Sequence, residues 1–351
     1  MGRLLLVALC SLWLWIAPAQ ALPAGNAITN SRTLLRLGLP LDRPDVRQLD
    51  HDLTDIEASL KYNRWSVVQG DLQKAQRWID KQSAKVVASL PPSEQAAATA
   101  DIQALQAALA DMNTHVALHI KGKGDSEADY DRALTALESL ESHFLGASTV
   151  TIPSAYAHLP HLNGRAQVEL TTTAGTMVIT LDGYNAPVTA GNFADLVQKK
   201  FYNGIDFSRV EDFYVIQAGD PPGPAEGYID PKTKQMRTIP LEIRVQERPQ
   251  PIYGQTLEDA GLWNANPILP FSARGTVAMA RGEDPNSASS QFFIFLAEAD
   301  LTPAGLNLID GRYAVFGYIT QGIEVLDQLK LGDKILNATL IQGADHLQSP
   351  A

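Results

Sequence analysis

The chain is 351 residues long, with 28 Lys and Arg against 39 Asp and Glu, 45% hydrophobic residues and a single Cys. That length accommodates two cores at roughly 150 residues per domain, and the composition excludes a disordered, collagen-like or disulfide-stapled protein. A formal charge of −11 leaves no global basic field to neutralise phosphates, so nucleic acid is not an expected partner.

Arg3 precedes an apolar run from Leu4 to Ile16, followed by Pro18 and the small-residue pattern Ala19-Gln20-Ala21. These are the three regions of a secretory signal peptide, predicted here over 1–21 with cleavage after Ala21. The run falls short of the ~20 apolar residues a spanning helix needs, so an exported chain with no stable membrane anchor is expected. Cys10 lies inside this segment and follows Leu9, where a lipoprotein site requires a small residue. The mature chain is therefore expected to carry no thiol, which excludes disulfides and thiol catalysis.

Residues 42–145 hold only three Gly and three Pro, whereas 19 of the 25 Gly come later. Between these breakers run four heptad-like stripes: Val46, Leu49, Leu53, Ile56, Leu60; Trp65, Val68, Leu72, Ala75, Ile79, Val86; Ile102, Leu105, Leu109, Met112, Val116; and Tyr130, Leu134, Leu137, Glu141, Phe144. The spacing predicts an all-α four-helix bundle domain over 22–148, packed within one chain because each segment is short and interrupted. Asp42, Ser93 and Ser126 are the expected start signals of the first, third and fourth helices, and Pro91-Pro92 ends the second. His115 and His119 stand at i, i+4, but no acidic or Cys partner falls at ligand spacing and no metal is expected.

Residues 149–165, with Pro153, Pro160 and Asn163-Gly164, read as a linker or a strap across a domain junction. Beyond it the period becomes strand-like. Candidate strands are 167–173, 176–181, 207–210, 215–218, 237–245, 275–280, 292–296, 313–320 and 338–342, with helices at 190–199 and 322–329. Nine short strands predict a mainly β closed barrel flanked by two helices over 166–345, followed by a tail at 346–351.

Five blocks in this second half carry a resemblance: Phe207-Ser208-Arg209; Val215 to Asp220; Thr276 to Arg281; Ser290 to Ile294; and Asp310 to Gly317. In order and spacing they resemble the cyclophilin signature, and the whole chain is similar to the multidomain cyclophilins of the thylakoid lumen and their cyanobacterial relatives. The stretch from Asn26 to Pro40 is similar to that family as well.

The resemblance implies a fold, a cyclophilin-like barrel, and an activity, peptidyl-prolyl cis-trans isomerisation. It makes Arg209 the catalytic residue. Phe207, Tyr214, Val215, Gln217, Met279, Ala280, Gln291, Phe293, Leu308 and Tyr313 become the substrate-binding set. Each has a plainer reading beside it. Arg209 has Glu211 and Asp212 for ion-pair partners, Gln217 and Gln291 can bond one another between strands, and Phe293, Met279 and Ala280 can be core.

The sequence also departs from the pattern. Tyr214 and Val215 stand where the family usually has Phe and Met, Leu308 where it usually has Trp, and Tyr313 where it usually has His. The Trp forms a wall used by the cyclosporin class, so cyclosporin binding is not expected here. Two insertions, 221–235 and 247–270, either fold over the groove or stand as solvated loops. The expected function is that of an exported isomerase and chaperone without a cofactor. The resemblance implies a Pro-containing client, a lumen-facing loop of photosystem II, with thylakoid lumen or periplasm as the location. The competing reading is a catalytically weak or inactive module that holds Pro-containing segments, with the bundle as a docking or occluding partner.

Overall fold

The computed structural model describes residues 28–117, 123–146, 148–296 and 309–349. The expected signal peptide, His119 and Leu308 lie outside them. The first half is helical: α1 Ser31–Leu37, α2 Pro44–Lys61, α3 Trp65–Ala88, α4 Pro92–Ala117 and α5 Lys123–Ser142. The four expected stripes fall on α2 to α5 and meet in one core, with Leu49, Leu53, Ile56, Leu72, Leu105, Met112, Leu134 and Leu137 all buried. Burial of this kind stabilises by about 1.5–3 kcal/mol for each large apolar side chain, which is what holds the amphipathic helices together.

The helix starts differ from expectation. Asp42 does not cap α2: the N-cap is Arg43, without a side-chain cap bond, and Pro44 occupies the first turn. α4 begins at Pro92 and α5 at Lys123, ahead of Ser93 and Ser126. A proline in the first turn has no N–H to satisfy, so the cap loses part of its purpose. The short helix α1 was not expected; Asn30 caps it by accepting from the N–H groups of Arg32 and Thr33.

The second half contains β1 His161–Leu162, β2 Arg165–Thr172, β3 Gly175–Asp182, α6 Pro187–Gln198, β4 Phe207–Glu211, β5 Val215–Ala218, β6 Glu242–Ile243 and β7 Ile252–Tyr253. It continues with β8 Thr276–Met279, β9 Phe292–Phe295, β10 Val315–Gln321, β11 Ile335–Gln342 and β12 Leu347–Gln348. Eight strands form one antiparallel sheet in the order β11-β2-β3-β10-β8-β9-β5-β4. The sheet curls, and its two edges meet at one end through the bridge Asp206–Lys334 and the bonds Phe207 N–H to Asp333 O (2.7 Å) and Ile335 N–H to Ile205 O (2.9 Å). A full closing ladder, which a closed barrel requires, does not join β4 to β11. Beyond the buried Phe207, β4 runs on through exposed Ser208 and Arg209, so the strand leaves the closing contact there.

Two other expectations are corrected. Of the strand expected at 237–245 only Glu242–Ile243 forms a ladder, with isolated bridges from Ile239 to Ala288 and from Val245 to Pro267, because Pro240 interrupts the run and has no N–H to give. The second flanking helix is a 3₁₀ turn at Ile323–Asp327, confined between Gly322 (φ 74°) and Gly332 (φ 85°).

The two halves meet through α1. Leu34 and Leu35 belong to the core of the sheet, while Tyr184, from the sheet domain, belongs to the helical core. Polar bonds fix the seam: Asn185 Nδ2 donates to Gly38 O (2.8 Å), Arg165 donates to Leu35 O and to Asp182 (3.1 Å), and Arg32 makes a two-pronged pair with Glu138 on α5 (3.0 and 2.7 Å). Beside it lies a cleft of about 820 Å³ between α1, α5 and the outer face of β2, β3 and β10. The segment expected as linker or strap bonds to the second insertion through Thr151 N–H and Gln250 (2.7 Å) and packs Tyr156 on Tyr253 at 5.5 Å.

At the centre of the seam Arg36 and Asp50 are both wholly buried, side chains 0% exposed. Arg36 donates from Nε (2.9 Å) and Nη2 (2.7 Å) to one carboxylate oxygen of Asp50, and Arg47 donates to the other at 3.2 Å. Glu141 on α5 is buried close to them with both carboxylate oxygens lacking a hydrogen-bond partner. Burial, reinforced by the nearby Asp50 charge, pushes its pKa up to about 8 against the pull of Arg36, Arg47 and Arg165.

Two predictions follow from these buried charges. Asp50→Ala leaves Arg36 buried without its counter-charge and should destabilise the chain by about 3–5 kcal/mol in urea unfolding. Glu141 binds its proton more tightly folded than unfolded, so its contribution is fully present below about pH 4.5 and is lost as pH rises towards 8. Glu141→Gln should therefore raise the midpoint of thermal unfolding relative to the parent at pH 8.5 and leave little difference at pH 5. Parallel curves across that range would show that Glu141 is ionised in the fold.

Candidate active site

The expected site residues converge on the half of the sheet remote from the seam, where β4, β5, β9 and β8 run side by side. Phe207 and Arg209 share parity along β4, and a regular strand would put them on one face. The register shifts between them, so Phe207 is wholly buried while the Arg209 side chain is 47% exposed. This is the known use of a bulge, re-aiming a side chain next to a site. Phe207 is accordingly core and is removed from the substrate-binding set. Val215 and Met279 are buried in the same core and support the groove from within it.

Arg209 pairs across the strands with Gln217, and Gln217 pairs in turn with Phe293 on β9. Arg209 Nε donates to Glu211 Oε1 at 2.8 Å, and the guanidinium lies 5.9 Å from the ring centre of Tyr214, itself partly exposed. Among the described residues its two terminal nitrogens have no hydrogen-bond partner. The bond to Glu211 raises the Arg209 pKa and lowers that of Glu211. Gln217 Nε2 donates to Gln291 Oε1 at 2.8 Å, and Gln291 Nε2 donates to Asp220 Oδ1 (3.2 Å) and to the Glu226 carbonyl (2.9 Å). The plainer readings of Arg209 and of the two glutamines thus describe real bonds, and those bonds hold the groups beside the groove.

Phe293, the expected apolar floor, is buried at 6% exposure in the core of the sheet domain. Phe271 stacks parallel to it at 5.9 Å, and Tyr313 meets it edge-on at 5.2 Å. Ala280 N–H bonds to Gln291 O at 2.9 Å, keeping that strand end against β9. Leu308 falls outside the described residues. The sequence reading did not assign Arg281, whose guanidinium covers Tyr313 at 5.3 Å while Nε donates to Arg312 O (3.0 Å) and Nη1 to Gly282 O (2.8 Å). Its signal was available: it is a charge that closely follows the apolar strand β8.

Neither insertion is merely solvated. The first supplies the Glu226 carbonyl to Gln291. The second contributes Ile252 and Leu257 to a small core with Leu241, Ile243 and Val245 against Ala314, next to Tyr313. Gly311 (φ 78°) is needed at this contact, since a Cβ there would come within 2.9 Å of Leu257. The Asp310 carboxyl, half-buried and accepting from Phe271 N–H (2.9 Å), has its pKa pushed up to about 6 by loss of solvent and anchors the turn beneath the ring cluster. His115, once considered for a metal, bonds Asp129 at 2.6 Å, and the described residues contain no metal-ligating cluster.

Comparison with known proteins shows the family. Residues 167–343 match the family model described as cyclophilin type peptidyl-prolyl cis-trans isomerase, and residues 30–144 match that of the CYP38-like, PsbQ-like domain. A Synechocystis protein named as a thylakoid lumen peptidyl-prolyl cis-trans isomerase is 47% identical over 328 residues, covering 93% of this chain and 86% of its own. Chloroplastic CYP38 of Arabidopsis thaliana is 39% identical over 349 residues, covering 96% of this chain and 79% of its own. Chloroplastic CYP37 of the same plant is 29% identical, covering 96% and 75%. The chain belongs to the cyclophilin-type peptidyl-prolyl cis-trans isomerases, in the branch that joins the cyclophilin domain to a PsbQ-like helical domain.

Proposed function

We propose that the chain isomerises Xaa-Pro bonds of exported proteins in the groove around Arg209, with Gln217, Gln291, Phe293, Ala280, Tyr214 and Tyr313 as the surrounding contacts. An Xaa-Pro bond resists rotation because the prolyl nitrogen lone pair is conjugated with the carbonyl, a barrier of roughly 18–20 kcal/mol. A cation that donates to that nitrogen localises the lone pair, and it does so only as the bond twists, so it favours the transition state over either planar form. Arg209 is the charged group beside the ring-lined floor with donors to spare, and that observation carries the reading. The glutamine amides donate and accept without adding a charge, which suits them to hold a peptide backbone while the prolyl ring rests on Phe293.

The domain limits 22–148, 149–165 and 166–345 fit this reading, with α2 to α5 as a four-helix bundle and the sheet as a barrel brought nearly to closure. The lumenal location of the relatives and the export signal expected at 1–21 support work in the thylakoid lumen. A lumen-facing loop of photosystem II is the client we propose, and cyclosporin is not an expected ligand. A second reading, a module that binds Pro-containing segments with little turnover, is favoured by the Glu211 contact, which occupies Arg209 Nε.

Arg209→Ala should lower kcat/KM for an Ala-Pro-containing peptide by about 10²–10³-fold, the usual loss when a transition-state donor is removed. Arg209→Lys should recover little of it, since an ammonium does not reproduce the planar donor edge. Unchanged rates in Arg209→Ala would remove the proposed mechanism. Glu211→Gln should raise kcat/KM by no more than a few-fold, because exposed ion pairs are weak. A much larger rise would identify the Glu211 contact as the brake that the second reading requires.

A further inference from the structure

Four non-glycine residues among those described hold positive φ: Asn63, Lys200, Lys234 and Phe213. Asn enters this region readily and the lysines are flexible polar chains, but Phe213 at φ 61° is aromatic, and its Cβ pays a steric penalty there that glycine would not. Phe213 is also 77% exposed, the most exposed large apolar side chain among the described residues. It contributes neither to the core nor to any aromatic pair described for the fold. A conformationally costly, solvent-facing ring is not explained by folding, and such outliers cluster where function requires them.

Its position supplies the function. Phe213 sits in the turn between β4 and β5, closed by Tyr214 N–H to Glu211 O at 3.1 Å, directly beyond the cross-strand pairs Glu211–Val215 and Arg209–Gln217. Tyr214, next in sequence, lies under the Arg209 guanidinium and packs edge-on against Phe295, which itself meets Phe271. The lip is therefore continuous with the ring cluster around Phe293. Arg209 and Glu211 stand two strand steps apart, about 7 Å, and the turn adds a few ångströms. An extended peptide advances about 3.3–3.6 Å per residue, so this lip lies two or three residues away from a proline held at Arg209.

We infer that Phe213 is a specificity-determining contact of the groove, taking an apolar side chain of the client two or three residues from the proline. The inference rests on the reading of the Arg209 groove as the isomerase site. Its test uses the full mature chain and Xaa-Pro peptides that differ only in having Leu, Phe or Gly at the second and third positions on either side of the proline. Turnover by exchange spectroscopy and Kd by titration are both measured for the parent, Phe213→Gly and Arg209→Ala.

Phe213→Gly should raise the thermal midpoint by relieving the backbone. It should also reduce the preference for Leu- or Phe-bearing peptides over the Gly-bearing one about tenfold, the size of one partly buried apolar contact. A structural residue would show a lower thermal midpoint and an unchanged preference. An unchanged preference in both turnover and Kd, with Arg209→Ala inactive, overturns the role of Phe213 and leaves the groove intact. Arg209→Ala retaining both turnover and preference overturns the groove reading and this inference with it.

Discussion

A charged pair sealed from water constrains this protein more than any other single interaction. Arg36 and Asp50 have no solvent exposure, and the Arg36 charge depends on the Asp50 carboxylate that it bonds through two nitrogens. Their bonding locks α1 onto α2. With α1 fixed, Leu34 and Leu35 are delivered into the core of the sheet, and Asn185 and Arg165 close on its backbone carbonyls. Both domains are acidic, so long-range attraction does not bring them together; buried apolar side chains and local pairs do. The helical domain is thereby seated on β2, β3 and the Tyr184–Asn185 turn.

That seating has a functional consequence. The candidate site lies on β4, β5, β8 and β9, and the hydrogen-bond and ring partners of Arg209, Gln217, Gln291, Phe293 and Tyr313 among the described residues all come from the sheet domain and its insertions. The insertions shape the site, one through the Glu226 carbonyl and the other through the small core behind Tyr313. Arg281, laid over Tyr313, braces the ring wall on that side.

The four long helices were legible because each buries one stripe, and a stripe survives in sequence as a 3,4 period. Helix α1 was not, since Thr33, Leu34, Leu35 and Arg36 are all buried and consecutive, leaving no alternation to detect. A wholly buried arginine also reads as a surface residue until its partner Asp50 is known. The strands were legible by alternation except where a local feature broke it: Pro240 removed a ladder bond, and the register shift on β4 separated Phe207 from Arg209. Of the site, Arg209, the glutamines and Phe293 were accessible from ordered blocks of residue types. Phe213 was not, because its distinguishing property is a backbone angle, and Arg281 was passed over because its partner ring lies 32 positions away.

The most direct test of the account is exchange NMR of an isotopically labelled Ala-Pro peptide with the mature chain, following the side-chain amides of Gln217 and Gln291 in the same sample. The account predicts accelerated cis-trans exchange of the peptide together with shifts of those two amides and none in the helical core. Peptide-induced shifts confined to the cleft between α1, α5 and β2, without accelerated exchange, would contradict it.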